Sequence, residues 1–92
     1  MRIAIIGAAE LGKLIAYHAT NDSKYEVAGF YDDFNVSNTF NGLPVLGKCS
    51  SLLQDFALKK FDAVIMGIGY SQMKSRATIF NSFKNKIRFF KG

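Results

Sequence analysis

Arg2-Ile3-Ala4-Ile5-Ile6-Gly7-Ala8-Ala9-Glu10-Leu11-Gly12-Lys13 is the stretch whose reading decides the fold. Ile3 to Ile6 form a short apolar run rich in β-branched side chains, the composition of a strand buried on both faces of a parallel sheet. A tight turn from Gly7 to Gly12 follows, and then a helical pattern. That order is the context of a phosphate-binding turn, because a helix N-terminus presents unpaired backbone N–H groups to an anion. Gly7 and Gly12 meet the outer positions of the dinucleotide fingerprint G-x-G-x-x-G. Ala9 stands at the middle one, where backbone comes closest to a pyrophosphate.

Working outward, Leu11, Leu14, Ile15, His18 and Ala19 follow the i, i+3, i+4, i+7, i+8 spacing of one helix face, which the sequence predicts to face the core. His18 reads as a boundary residue bonded to nearby backbone. Asn21-Asp22-Ser23-Lys24 is a polar stop, and Tyr25 to Tyr31 is the next strand, ending in Asp32-Asp33. Strand, helix and strand make a βαβ unit with parallel strands and a right-handed crossover. Asp32 follows Gly12 by 20 positions, the distance at which dinucleotide folds place the carboxylate that binds a ribose hydroxyl.

Phe34 to Asn41 reads as a loop, and Gly42-Leu43-Pro44-Val45-Leu46-Gly47 as a short extended piece at a sheet edge. Ser51 with Gln54 fits a capping box for a helix whose inner face is Leu52, Leu53, Phe56 and Ala57, with Lys59 and Lys60 in its last turn. Phe61 to Gly69 is the second strong parallel-strand candidate. Gly67 and Gly69 near its carboxyl end let a ligand or neighbouring backbone approach closely. Ser71 suits the N-cap of a helix with Met73, Ala77, Phe80 and Phe83 as its core face, and Ile87 to Phe90 reads as the last strand.

The totals narrow the function classes. The chain of 92 residues suits one domain, and 49% hydrophobic residues are ample for a core. No apolar run approaches the roughly 20 residues that span a bilayer, and no leader pattern opens the chain, so a cytoplasmic location without membrane insertion is expected. Cys49 is the single cysteine, so no intramolecular disulfide and no cysteine-rich metal site are expected. Net charge is +5, and every charged residue after Asp62 is basic: Lys74, Arg76, Lys84, Lys86, Arg88 and Lys91. The aromatics fall at core spacing rather than beside these cations, so a solvated face or a partner surface is expected and nucleic acid is not.

An α/β fold with a mainly parallel sheet brings three features to one edge. The turn Gly7 to Gly12, the pair Asp32-Asp33 and the segment Gly69 to Ser71 each follow a strand, and open α/β sheets bind ligands at that carboxyl edge. The turn would hold phosphate, the aspartates a ribose hydroxyl or a base N–H, and Tyr70 the edge or face of a ring. Lys13 or Lys74 would offset phosphate charge. No catalytic constellation and no metal set is recognisable, so the residues imply a nucleotide site and no reaction.

The ordered set Ile3-Ala4-Ile5-Ile6-Gly7-Ala8, Leu11-Gly12-Lys13, Val27 to Asp33, Gly42 to Gly47 and Ile68-Gly69-Tyr70 resembles the amino-terminal domain of bacterial sugar acyltransferases. These are related to sialic acid O-acetyltransferases and UDP-4-amino-sugar N-acetyltransferases. The resemblance covers essentially the whole chain. It implies a small three-layer Rossmann-like domain, residues 1–92, that holds the nucleotide part of a UDP-sugar or related sugar nucleotide for surface-polysaccharide or glycan biosynthesis. The implied substrate-binding residues are Gly7, Ala8, Ala9, Glu10, Leu11, Gly12, Lys13, Asp32, Asp33, Gly69 and Tyr70. Ala9 and Glu10 stand where family members usually have glycines. The resemblance further implies a C-terminal left-handed β-helix of hexapeptide repeats, trimeric, which uses acetyl-CoA as co-substrate and supplies the catalytic histidine. This chain contains no such repeat, so it is expected to bind no cofactor and to be inactive alone. Two alternatives from other classes are an NAD(P)-binding domain of an oxidoreductase and a non-binding docking domain for a trimeric catalytic domain.

Overall fold

A computed structural model describes residues 1–22, 24–35, 37–69 and 72–90. Along the chain lie β1 (Arg2–Ile6), α1 (Glu10–Thr20), β2 (Glu26–Tyr31), β3 (Thr39–Phe40), β4 (Leu43–Gly47), a 3-10 turn (Cys49–Ser51), α2 (Leu52–Ala57), β5 (Ala63–Met66) and α3 (Met73–Phe83). The sheet order is β3-β4-β2-β1-β5. Every neighbouring pair is parallel except β3 with β4. The chain therefore leaves β1 in one direction for β2 and returns on its other side as β5, which puts the reversal of strand order between β1 and β5.

Alternation along β1 sorts the core into two layers. Ile3 and Ile5 pack with Ala16, Ala19, Val27 and Phe30 beneath α1. Ala4 and Ile6 pack with Tyr31, Leu52, Phe61 and Val64 on the face that carries α2. Ile79 and Phe83 of α3 pack partly against this second layer. The result is the three-layer, Rossmann-like arrangement, with each buried large side chain stabilising it by roughly 1.5–3 kcal/mol.

Strict alternation fails in β2, and the failure matters. Register with β1 slips between Ile3↔Val27 and Ala4↔Gly29, so Ala28 is the extra residue of a bulge. Gly29 has φ +149, and a Cβ there would meet the Pro44 carbonyl oxygen at 2.4 Å. The bulge moves Phe30 to the α1 layer and Tyr31 to the α2 layer, the opposite of what simple alternation from Val27 assigns.

Other expectations are corrected. The stretch Phe34 to Asn41 is not all loop, because Thr39–Phe40 pairs with Pro44 and Leu43 across a two-residue turn. Asn41 and Gly42 both have positive φ (53° and 81°), as a type I′ hairpin turn requires. The piece Gly42 to Gly47 is consequently not an edge: β4 lies between β2 and β3. On α1 the buried residues are Gly12, Ala16 and Ala19, while Leu14 and His18 are exposed, because small side chains let the helix approach the sheet. The imidazole of His18 packs edge-on to Tyr17 and makes no hydrogen bond among the described residues. Ser51 has helical backbone angles and no capping bond, so no capping box forms. Leu53 and Ala57 face solvent, and α2 ends before Lys59 and Lys60. The strand within Phe61 to Gly69 is confined to β5. Met73, Ala77 and Phe80 of α3 are exposed rather than core, and Ile87 to Phe90 contributes one parallel bridge, Val64↔Phe89, rather than a full strand. Ser23, Tyr70, Ser71, Lys91 and Gly92 lie outside the described residues, and with them the predicted N-cap. Among the described residues no helix is long and apolar enough to cross a membrane.

Candidate functional site

The glycine turn is built from three close backbone approaches. Gly7 has φ +108, and its N–H donates to the Tyr31 carbonyl at 2.8 Å. A Cβ on Gly12 would lie 2.0 Å from the Gly7 carbonyl oxygen, and one on Gly67 would lie 3.0 Å from the Gly12 Cα and from the Ile6 carbonyl oxygen. Gly67 thus serves the approach of neighbouring backbone. Helix α1 starts at this junction with Ala9 as N-cap and no side chain capping it. Its first intrahelical bond runs from the Lys13 N–H to the Ala9 carbonyl, at 2.8 Å. The first-turn N–H groups of Glu10 to Gly12 precede that bond, as unpaired donors do at any helix start.

Asp32 ties this turn to the segment after β2. Its Oδ2 accepts the Ala8 N–H at 2.7 Å, and its Oδ1 accepts the N–H groups of Phe34 and Asn35, each at 2.8 Å. A carboxylate has about four acceptor sites, so three are occupied by backbone. Asp33 Oδ1 accepts the Cys49 N–H at 2.9 Å and so ties the start of the 3-10 turn before α2 to the segment after β2.

A cleft of about 230 Å³ opens at this edge. Gly7 and Gly67 lie in its floor, Ala9, Glu10 and Leu11 on the α1 side, and Asp32 and Asp33 on the β2 side, with Gly69 after β5. The structure therefore gathers those predicted residues in one place. Ala8 is buried with its N–H on Asp32, Gly12 is buried in the glycine junction, and Lys13 is exposed on α1, so these three do not line the cleft. Lys74 does not line it either, and Tyr70 lies outside the described residues. Among the described lining residues three are acidic and none is Lys or Arg. The acidic residues do not gather into a metal-binding group among the described residues.

Residue spacing did not point to Phe34, Tyr31, Cys49, Gln72 or Ser75, all of which line the cleft. The signal for Phe34 was its place directly after Asp32-Asp33; Tyr31 is turned to this side by the β2 bulge, and Cys49, Gln72 and Ser75 come from segments far along the chain. Tyr31 donates its phenolic O–H to Asp55 Oδ2 at 2.6 Å, and Asp55 Oδ1 pairs with Lys60 Nζ at 3.2 Å. Asp55 is 8% exposed. Burial, and then the hydrogen bond from Tyr31 to Asp55 with its charge, push the Tyr31 phenol far above its ordinary value. Burial, aided by the charges of Asp33 and Asp32, pushes the Cys49 thiol up to about 12. The thiol therefore stays protonated near neutral pH and is a poor nucleophile.

The family model described as the PglD N-terminal domain matches residues 2–83. The chain belongs to the PglD N-terminal domain family. It is thus related to the N-terminal domain of PglD-like sugar acetyltransferases. Among solved structures, RSP, a Rex-family repressor, is similar with a TM-score of 0.63 and 22% identity over 88% of this chain and 40% of that one. RSP in complex with β-NADH is similar with a TM-score of 0.61 and 24% identity over 86% and 39%. These likenesses show the Rossmann-like fold alone, and the PglD N-terminal-type chain spans about two-fifths of those structures. No curated protein matches the chain.

Proposed function

We propose that this PglD N-terminal-type domain binds the nucleotide part of a sugar nucleotide, a UDP-sugar or a related one. It would serve a cytoplasmic sugar O- or N-acetyltransferase of surface-polysaccharide or glycan biosynthesis. The observation that carries the reading is the cleft at the β1/β5 reversal, floored by Gly7 and Gly67 beside the uncapped start of α1. At about 230 Å³ the cleft is smaller than the roughly 300–1,000 Å³ sites that enclose whole ligands. It suits part of a sugar nucleotide, with the sugar left for a second domain. The reading assigns acetyl-CoA and the catalytic histidine to a trimeric C-terminal left-handed β-helix domain.

Titration of UDP into the isotope-labelled domain tests the reading by NMR. Amide shifts at Gly7 to Lys13 and at Asp32 and Asp33 are expected; their absence at millimolar UDP sinks it. Glu10 is the negative charge in the first turn of α1, where phosphate would sit. Glu10→Gln should tighten UDP binding about 3- to 10-fold, the size of one unfavourable charge interaction at a partly screened helix end.

An NAD(P)-binding domain of an oxidoreductase is the second reading, supported by RSP's complex with β-NADH and by Gly7, Gly12 and Asp32. Against it stand Ala9 at the pyrophosphate approach and the three backbone donors already on Asp32. Tighter binding of NAD than of UDP would reverse the order.

A further inference from the structure

Phe34 is 89% exposed. A lone exposed aromatic on a surface carries little information. This one lines the cleft, and the backbone that carries it is pinned. The N–H groups of Phe34 and Asn35 donate to one oxygen of Asp32, while the other oxygen holds the Ala8 N–H of the glycine turn. A single carboxylate therefore sets the position of the Phe34 backbone relative to the start of α1. The ring is exposed and the backbone that carries it is already hydrogen-bonded in place, so a ligand that covers the ring incurs less of the usual backbone ordering cost.

The geometry around it suits a flat ring. Phe34 follows β2, and Ile68 and Gly69 follow β5; the two strands flank β1. At about 4.8 Å per strand step they stand about 10 Å apart. A planar ring in contact on both faces takes about 7–8 Å. That strand spacing is of the order one ring needs, and Phe34 and Ile68 are both in the apolar part of the cleft lining. Asp32 and Asp33, on the same side of the cleft as Phe34, offer no attraction to a phosphate, so an uncharged, planar group is the part of a nucleotide that this side favours.

We infer that Phe34 is the stacking platform for the nucleobase of the bound ligand. This inference rests on the sugar-nucleotide reading and adds a binding residue to it. Stacking is tolerant of base identity, because every base has a π-face, so Phe34 would supply affinity while polar groups elsewhere set the choice of base.

Phe34→Ala is expected to weaken UDP binding about 10- to 100-fold, the usual effect of removing a stacked aromatic, and to leave inorganic pyrophosphate binding unchanged. Phe34→Tyr should bind UDP like the parent. The chain has no tryptophan. Phe34→Trp therefore creates a single indole, whose fluorescence UDP should quench and ribose 5-phosphate should not. Full UDP affinity in Phe34→Ala, equal loss of UDP and pyrophosphate binding, or an indole blind to UDP would overturn the inference alone. A parent domain that ignores UDP altogether would overturn the sugar-nucleotide reading and the inference with it.

Discussion

Helices α1 and α3 are both 11 residues long, and each follows a parallel strand and a glycine-containing segment of sequence. Both carry an apolar stripe in the sequence. Yet α1 buries Gly12, Ala16 and Ala19, while α3 buries nothing, and its Met73 and Phe80 are 55% and 41% exposed. The difference lies beneath them. Helix α1 rests on two fully paired strands and touches their backbone through small residues. Helix α3 touches the α2-side layer through Ile79 and Phe83, and β5 on that side is paired among the described residues only with β1 and, at one bridge, Phe89. An apolar stripe buries a helix only where a strand lies below it and the side chains between are small enough for close approach.

The sharpest way to break this comparison is Gly12→Ala. Its methyl would overlap backbone on the Gly7 side, and a flexible side chain cannot yield there. A loss of about 3 kcal/mol by urea denaturation is expected. A loss below about 1 kcal/mol would show that α1 is not seated on the turn as described. Next comes Asp55→Ala, which leaves the buried Tyr31 hydroxyl without its partner and should cost about 2 kcal/mol in the same assay; Tyr31→Phe introduced into that variant should recover part of the loss.

Alkaline pH gives a smaller, graded effect confined to the β2 side. Unfolding lets the Cys49 thiol ionise near its ordinary value of 9, whereas the folded protein holds the proton to about 12. Tyr31 acts in the same direction. The unfolded state therefore binds fewer protons across this range, and stability falls as pH rises from about 9 toward 12. Thermal unfolding at pH 8 and at pH 10.5 should show the drop, and Cys49→Ala with Tyr31→Phe should flatten it. The smallest effect belongs to α3: Met73→Ala should change stability by no more than about 0.5 kcal/mol. A loss above about 2 kcal/mol would mean that this face is covered.

Much of the glycine junction and of the candidate cleft could be read before the structure. Gly7, Gly12 and Asp32 stood out because a strand, a glycine turn and a carboxylate at a fixed distance leave local marks. Asn41-Gly42 between Phe40 and Leu43 carried a hairpin signal as well, and it was masked by the polar residues before it. Asp55 left no mark. Its burial depends on Tyr31 arriving from another element, and no local pattern of α2 distinguishes it from a solvated acid. Lys13 does not line the cleft for the converse reason: nearness in sequence to the turn did not place its side chain toward that edge.

The sequence by itself determined the two-layer sorting of β1, the βαβ start and the gathering of Gly7, Asp32 and Gly69 at the carboxyl edge, since each follows from period, glycine placement and strand direction. Only the tertiary structure decided that Ala28 bulges. A Cβ at Gly29 would collide with the Pro44 carbonyl, and that contact exists only once β4 has docked. From that one extra residue follow Phe30 under α1, Tyr31 on Asp55 and the wall of the cleft. Alternation is a local property of a strand; where it slips is set by the backbone packed against it.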